Sequence, residues 1–161
     1  GGGFGMVLFL ATIIASAMHW GGAFFSILLG HISDTVFKGS RYQTITAGFV
    51  ISGVSLLAIY FFGHFLMDMD GGVFFMAAML FLAGGCIQGV QAPLFNLPGD
   101  ILGTRLGGTG VGIVNGWSYI GASFAGITLG FVMDSFGLTS CIMLMALISL
   151  AGAGIILFVK R

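Results

Sequence analysis

The stretch from Thr139 to Val159 reads TSCIMLMALISLAGAGIILFV, twenty-one residues without a charged side chain. As a helix rising about 1.5 Å per residue it reaches about 30 Å, the thickness of a bilayer's hydrocarbon core. No water serves the backbone at that depth, so such a stretch must close its own hydrogen bonds as a helix. Working outward, four more runs have the same character: residues 108–133, 72–97, 44–66 and 6–30. The sequence therefore predicts an all-α integral membrane protein with five transmembrane helices, joined by short connections into one bundle.

Composition excludes the main alternatives. Apolar residues make up 58% of the 161 and charged ones only 6%, at a mean hydropathy of +1.13. A soluble domain carries about 25% charged residues, so a water-soluble enzyme is ruled out. Zero net charge argues against a nucleic-acid surface. Cys86 and Cys141 both fall inside apolar runs, where a disulfide framework is not expected. The 29 glycines follow no collagen period and point to close helix packing or chain bending.

The few charges sort by side. Lys38 and Arg41 lie between the first and second runs, Arg105 between the third and fourth, and Lys160 and Arg161 after the fifth. With five crossings these places share one face, which the positive-inside rule makes cytoplasmic. The opposite face receives Asp68, Asp70 and Asp134. The N-terminus is then external and the C-terminus cytoplasmic. A multi-spanning chain that starts outside at Gly1, with neither Met nor a signal peptide, reads as a piece of a longer protein.

A shift of 100 residues lays the first run on the fourth. Gly21, Phe24, Ile27, Leu29, Gly30 and Asp34 then meet Gly121, Phe124, Ile127, Leu129, Gly130 and Asp134, within the window 20–34. The two copies cross in opposite senses, which is an inverted-topology repeat of the kind secondary transporters use.

The segment Gly30-His-Ile-Ser-Asp34-Thr-Val-Phe37-Lys38-Gly39-Ser-Arg41 resembles the G-x-x-x-D-x-x-x-G-x-R loop motif of the major facilitator superfamily. Its Phe-Lys-Gly-Ser-Arg form resembles the organophosphate:inorganic phosphate antiporter branch, which holds glycerol-phosphate and hexose-phosphate carriers. Asp100, Arg105-Leu-Gly-Gly108, Ser118-Tyr119-Ile-Gly121 and Asp134 are similar to the tenth-to-eleventh helix region of that branch, although Ser118 stands where the branch has glycine. The resemblance implies a C-terminal half-bundle, helices eight to twelve of twelve, in a multi-pass bacterial inner (plasma) membrane protein. It implies alternating-access transport of a small anionic, organophosphate-like metabolite, with the missing N-terminal half as partner. A transporter-like sensor of sugar phosphates, signalling to a kinase, is the alternative the same branch offers. The branch's phosphate-binding arginines lie on the first and seventh helices, neither of which is in this sequence.

Within the runs, several polar residues are candidates for lining a cavity. Thr12, Ser16, His19, Ala23 and Ser26 form a small or polar stripe, and His19 lies near mid-span. It serves either as a titratable solute contact or as a neutral histidine bonded to a neighbouring helix. Tyr119 is the partner of His19 in the repeat and shares a face with Asn115. Gln88 and Gln91, one turn apart, act either as interhelical glue or as solute contacts. Pro93 and Pro98 are expected to cap or bend the end of the third run. Gly108, Gly112 and Gly116, followed by Gly121, Gly126 and Gly130, offer a close-packing surface, and the second and fifth runs read as a lipid-facing buttress.

At the cytoplasmic helix ends Asp34, Arg41, Asp100 and Arg105 are placed to pair across loops and latch a gate. No nucleophile–base pair, metal-ligand cluster or phosphate loop appears, so neither an enzyme nor a cofactor is expected.

Overall fold

The computed structural model describes residues 2–67 and 71–159. Asp68, Asp70, Lys160 and Arg161, four of the charges assigned to a membrane side above, lie outside the described residues. The described residues form five helices: α1 (Gly2–Thr35), α2 (Arg41–Met67), α3 (Gly72–Gly89), α4 (Gln91–Phe136) and α5 (Leu138–Val159). Among the described residues three stretches are long and apolar enough to cross a membrane, Arg41–Phe65, Gly72–Phe136 and Leu138–Phe158. This is an integral, multi-pass membrane protein.

The second stretch is not a single crossing. Its 65 residues would run about 98 Å as a straight helix, three times the hydrocarbon core. Gly103 breaks it, with φ 73° and ψ 179°, a conformation that needs a residue without a Cβ. There the chain doubles back: a Cβ on Gly107 would stand 3.0 Å from the Cα of Gly99, and one on Gly110 2.8 Å from the Cβ of Pro98. α4 thus has a first arm, 91–102, and a second arm, 104–136. The sequence predicts a loop near 98–107, yet one glycine makes the reversal and helical backbone continues on both sides. Pro93 and Pro98 sit inside the first arm rather than ending it. Before it, Val90 keeps right-handed helical dihedrals (φ −71°, ψ −11°), and its carbonyl accepts from Leu94 N–H at 3.0 Å, so hydrogen-bonded backbone carries α3 into α4.

Helices extend past the apolar runs at most ends, because hydrogen-bonded backbone has no reason to unwind where hydrocarbon gives way to headgroups. Asp34, Asp100, Arg105 and Asp134 therefore fall in helical turns rather than loops.

Glycine sets the packing of the first three helices. A Cβ on Gly21 would lie 2.8 Å from the carbonyl oxygen of Phe81, one on Gly85 3.0 Å from the carbonyl carbon of Gly21, and one on Gly89 2.8–2.9 Å from backbone and Cβ atoms of Phe25. α1 and α3 touch backbone to backbone, which only small residues permit.

α2 does more than buttress. It packs against both α3 and α5, and its inner face holds the fully buried Thr44, Ile45 and Ser52. Leu56 and Ile59 meet Ala83 of α3 and Ala146 of α5 in one apolar cluster, and Ile45 meets Leu29 and Val90 in another. Ser149 Oγ donates to the Phe49 carbonyl at 3.0 Å, fixing α5 on α2. The second arm of α4 is the outlier. Most of its residues are exposed, and Cys141 Sγ reaches the Leu129 carbonyl at 3.4 Å near its far end.

Candidate functional site

Three polar groupings stand out, and the first lies where α1 turns into α2. Lys38 and Gly39 adopt positive φ (51° and 84°), and Gly39 N–H closes back on the Ser33 carbonyl at 2.8 Å. This tight reversal brings Arg41, the first residue of α2, beside the last turn of α1. Arg41 Nη1 bonds Asp34 Oδ1 and donates to Ser33 Oγ at 3.2 Å, while Nε donates to Asp100 Oδ2 at 3.0 Å. One guanidinium thus ties the α1–α2 turn to the first arm of α4, three residues before the Gly103 reversal.

The arginine is the shielded partner. Its side chain is 16% exposed, against 62% for Asp34 and 51% for Asp100. Water screens both carboxylates, so each pair contributes about 0–1 kcal/mol. Of the four charges expected to pair, the structure brings together Asp34, Arg41 and Asp100. Arg105 is exposed and makes no ion pair among the described residues. The sequence reading missed Ser33, fully buried and bonded to Arg41. Its position next to Asp34 in the loop motif was the available signal.

The second grouping flanks the α1–α3 seam. The Gln88 amide lies flat on Gly22: a Cβ there would come within 2.7 Å of Gln88 Cδ and nearer still to Oε1. Ser26, one turn after Gly22, spends its hydroxyl on the Gly22 carbonyl at 2.8 Å. His19, one turn before Gly22, is exposed, and Gln91, one turn beyond Gln88, is exposed too. Positions three or four apart share a helix face, so His19 and Ser26 edge the same side of α1 that receives Gln88.

The third grouping, Asn115 and Tyr119, belongs to the second arm of α4. Tyr119 is 70% exposed and Asn115 is exposed beside it. The structure does not bring either to Gln88. The described pocket between the two arms of α4, about 350 Å³ and lined by Leu94, Leu97, Pro98, Ile101, Leu102, Gly110, Ile113 and Val114, presents no polar surface. It has nothing with which to hold an anion. Among the described residues no three His, Cys, Asp or Glu side chains cluster as a metal site would require.

Comparison with known proteins adds a direction. The chain is 28% identical over 130 residues to a "Probable hexose phosphate transport protein" of Chlamydia trachomatis serovar D, covering 79% of this chain and 27% of that protein. The identically named protein of Chlamydia muridarum matches to the same extent, and that of Chlamydia pneumoniae is 27% identical over 149 residues, 92% of this chain and 31% of the relative. The chain is similar to transport proteins. It spans about three tenths of the length of these curated relatives. No family model matches, and no solved structure matches.

Proposed function

We propose that residues 1–161 form helices eight to twelve of a twelve-helix secondary transporter of the major facilitator type, moving a sugar phosphate by alternating access. The observation that carries the reading is the match, over four fifths of this chain, to proteins named for hexose phosphate transport. The all-helical membrane architecture supports it, as does the absence of any cation within the apolar runs. A phosphate dianion needs cationic partners. On this reading they come from the rest of the carrier, and this half supplies neutral contacts and the moving scaffold.

The five-crossing topology and the inverted repeat belong to the same proposal. Six matched positions in the window 20–34 support the repeat, and two oppositely inserted copies rocking about a midplane site give alternating access. The Arg41 cluster is then a bias on one of two states. Its pairs hold the α1–α2 turn to α4 in the outward-facing state and part when the cytoplasmic side opens. His19, Gln88, Gln91, Asn115 and Tyr119 are the proposed solute-facing positions of this half.

The test is uptake in proteoliposomes. The intact carrier takes up labelled hexose phosphate saturably, and residues 1–161 alone, reconstituted at equal density, do not. Saturable uptake by the 161-residue chain would refute the half-bundle reading. An intact carrier that binds sugar phosphate without moving it would refute transport.

A further inference from the structure

Gln88 has an environment that helix packing alone does not explain. An amide inside a membrane-spanning helix is costly unless its donors and acceptor are satisfied or face water. Two helices glued by glutamine would show a hydrogen bond across the seam. Here the residue opposite is Gly22, which has no side chain, and the Gly22 carbonyl is already taken by Ser26 Oγ at 2.8 Å. Among the described residues no hydrogen bond engages the Gln88 amide, and the side chain is only half-buried. The amide is held by shape, in the notch that a missing Cβ leaves, and its polar atoms remain available.

We infer that Gln88, seated by Gly22, is a specificity residue for the hydroxylated part of the transported solute and not for its phosphate. A neutral amide offers N–H donors and a carbonyl acceptor side by side, which matches a hydroxyl that both accepts and donates. The phosphate group of a hexose phosphate, as the monoester dianion, has no proton to give the carbonyl, and phosphate of either kind draws its main stabilisation from charge; no cation lies within the apolar runs of this chain. Gly22 is a positioning residue: any larger side chain there displaces the amide without touching solute. Gln91, one turn on and exposed, lies on the same side and extends the polar edge. The inference rests on the transport reading above.

The experiment uses the intact carrier in proteoliposomes. It compares KM for hexose phosphate uptake with the inhibition constant of inorganic phosphate against that uptake. Gln88→Met keeps length and volume and removes the amide. It should raise KM about 3- to 10-fold, the loss of one neutral hydrogen bond, and leave the phosphate constant unchanged. Gly22→Ala should raise KM in the same way, and its effect should vanish when added to Gln88→Met, because no amide remains to be displaced. A merely structural role for Gly22 would give additive losses instead. Should Gly22→Ala fail to assemble, Gln88→Met still decides the matter. Equal changes in both constants, or no change in either, would overturn the inference while leaving transport intact. A wild-type carrier that moves no sugar phosphate would overturn the transport reading and this inference with it.

Discussion

Gly89→Ala and Gly112→Ala are the same chemical change in two helices of one chain, and the structure gives them opposite consequences. At Gly89 the new methyl would stand 2.8 Å from Phe25 Cβ and 2.9 Å from Phe25 C and O. Ordinary carbon contacts are about 3.5–4.0 Å, so α1 and α3 would have to part by about 0.7 Å. Two of the three offending atoms are backbone, which cannot rotate aside. Overpacking of this kind costs about 1–3 kcal/mol. At Gly112 nothing lies within 4 Å, so the methyl meets open space. Each substitution gains about 0.5–1 kcal/mol of helix propensity, and that gain cancels in the comparison. The expected difference is therefore the overpacking cost itself. The assay is equilibrium unfolding of the 161-residue chain in mixed micelles, titrated with denaturing detergent and followed by circular dichroism. Gly89→Ala should unfold at lower detergent than the parent and Gly112→Ala at an equal or higher fraction. Coincident midpoints for the two variants would refute backbone contact between α1 and α3.

Two further perturbations act at the end of the bundle that holds Arg41 and Gly103. Arg41→Glu places a third carboxylate beside Asp34 and Asp100 and should lower transport by the intact carrier, by no more than about 30-fold, since two screened pairs supply a bias of at most about 2 kcal/mol. Asp100→Arg in the same protein should recover part of the loss, and no recovery there or with Asp34→Arg would count against the latch. Gly103→Ala forces a Cβ into φ 73° and should cost about 1–3 kcal/mol in the same unfolding titration, whereas Gly108→Ala, in open helical backbone nearby, should cost nothing.

Hydropathy alone makes the helices legible, because a membrane reduces the choice of fold to a backbone that satisfies itself. The Arg41 contacts were legible as well, since charges this rare in a chain this apolar have few places to meet. Spacing could not show that Asp100 reaches Arg41 while Arg105 does not. That depends on where the reversal falls, and Gly103 is one glycine among many, marked only by its backbone angle. The notch at Gly22 was hidden for a related reason. A glycine's role is set by what stands opposite, so Gly22 under Gln88 and Gly112 in open space look alike in sequence. Composition could not show which face of α2 is buried, because serine and threonine are small and uncharged and can stand on either side of such a helix. In α2 they are turned inward, with Ser52 and Ser55 both buried.

The second arm of α4 shows how far this chain can account for itself. Around its axis Gly108, Gly112, Asn115, Tyr119, Gly126 and Gly130 fall on one face at spacings of three, four and seven residues, while Trp117, Phe124 and Phe131 lie on the other side. The bulky side suits lipid, since those three side chains are all more than 60% exposed and wholly or largely apolar. The small side does not. An amide and a phenol facing hydrocarbon would each lose hydrogen bonds that nothing in the bilayer core replaces, and a row of glycines offers lipid no contact area that other residues would not offer better. In α1 and α3 the same kinds of residue, Gly21, Gly85 and Gly89, are covered by backbone at about 3 Å. A face of like composition in the second arm is open, and at Gly108, Gly112, Gly116, Gly121, Gly126 and Gly130 no described atom stands within 4 Å of where a Cβ would lie. On the proposed reading, the complementary surface and the cations that a phosphate ester requires both belong to the remainder of the carrier. The neutral, glycine-lined character of this half follows from that division of labour.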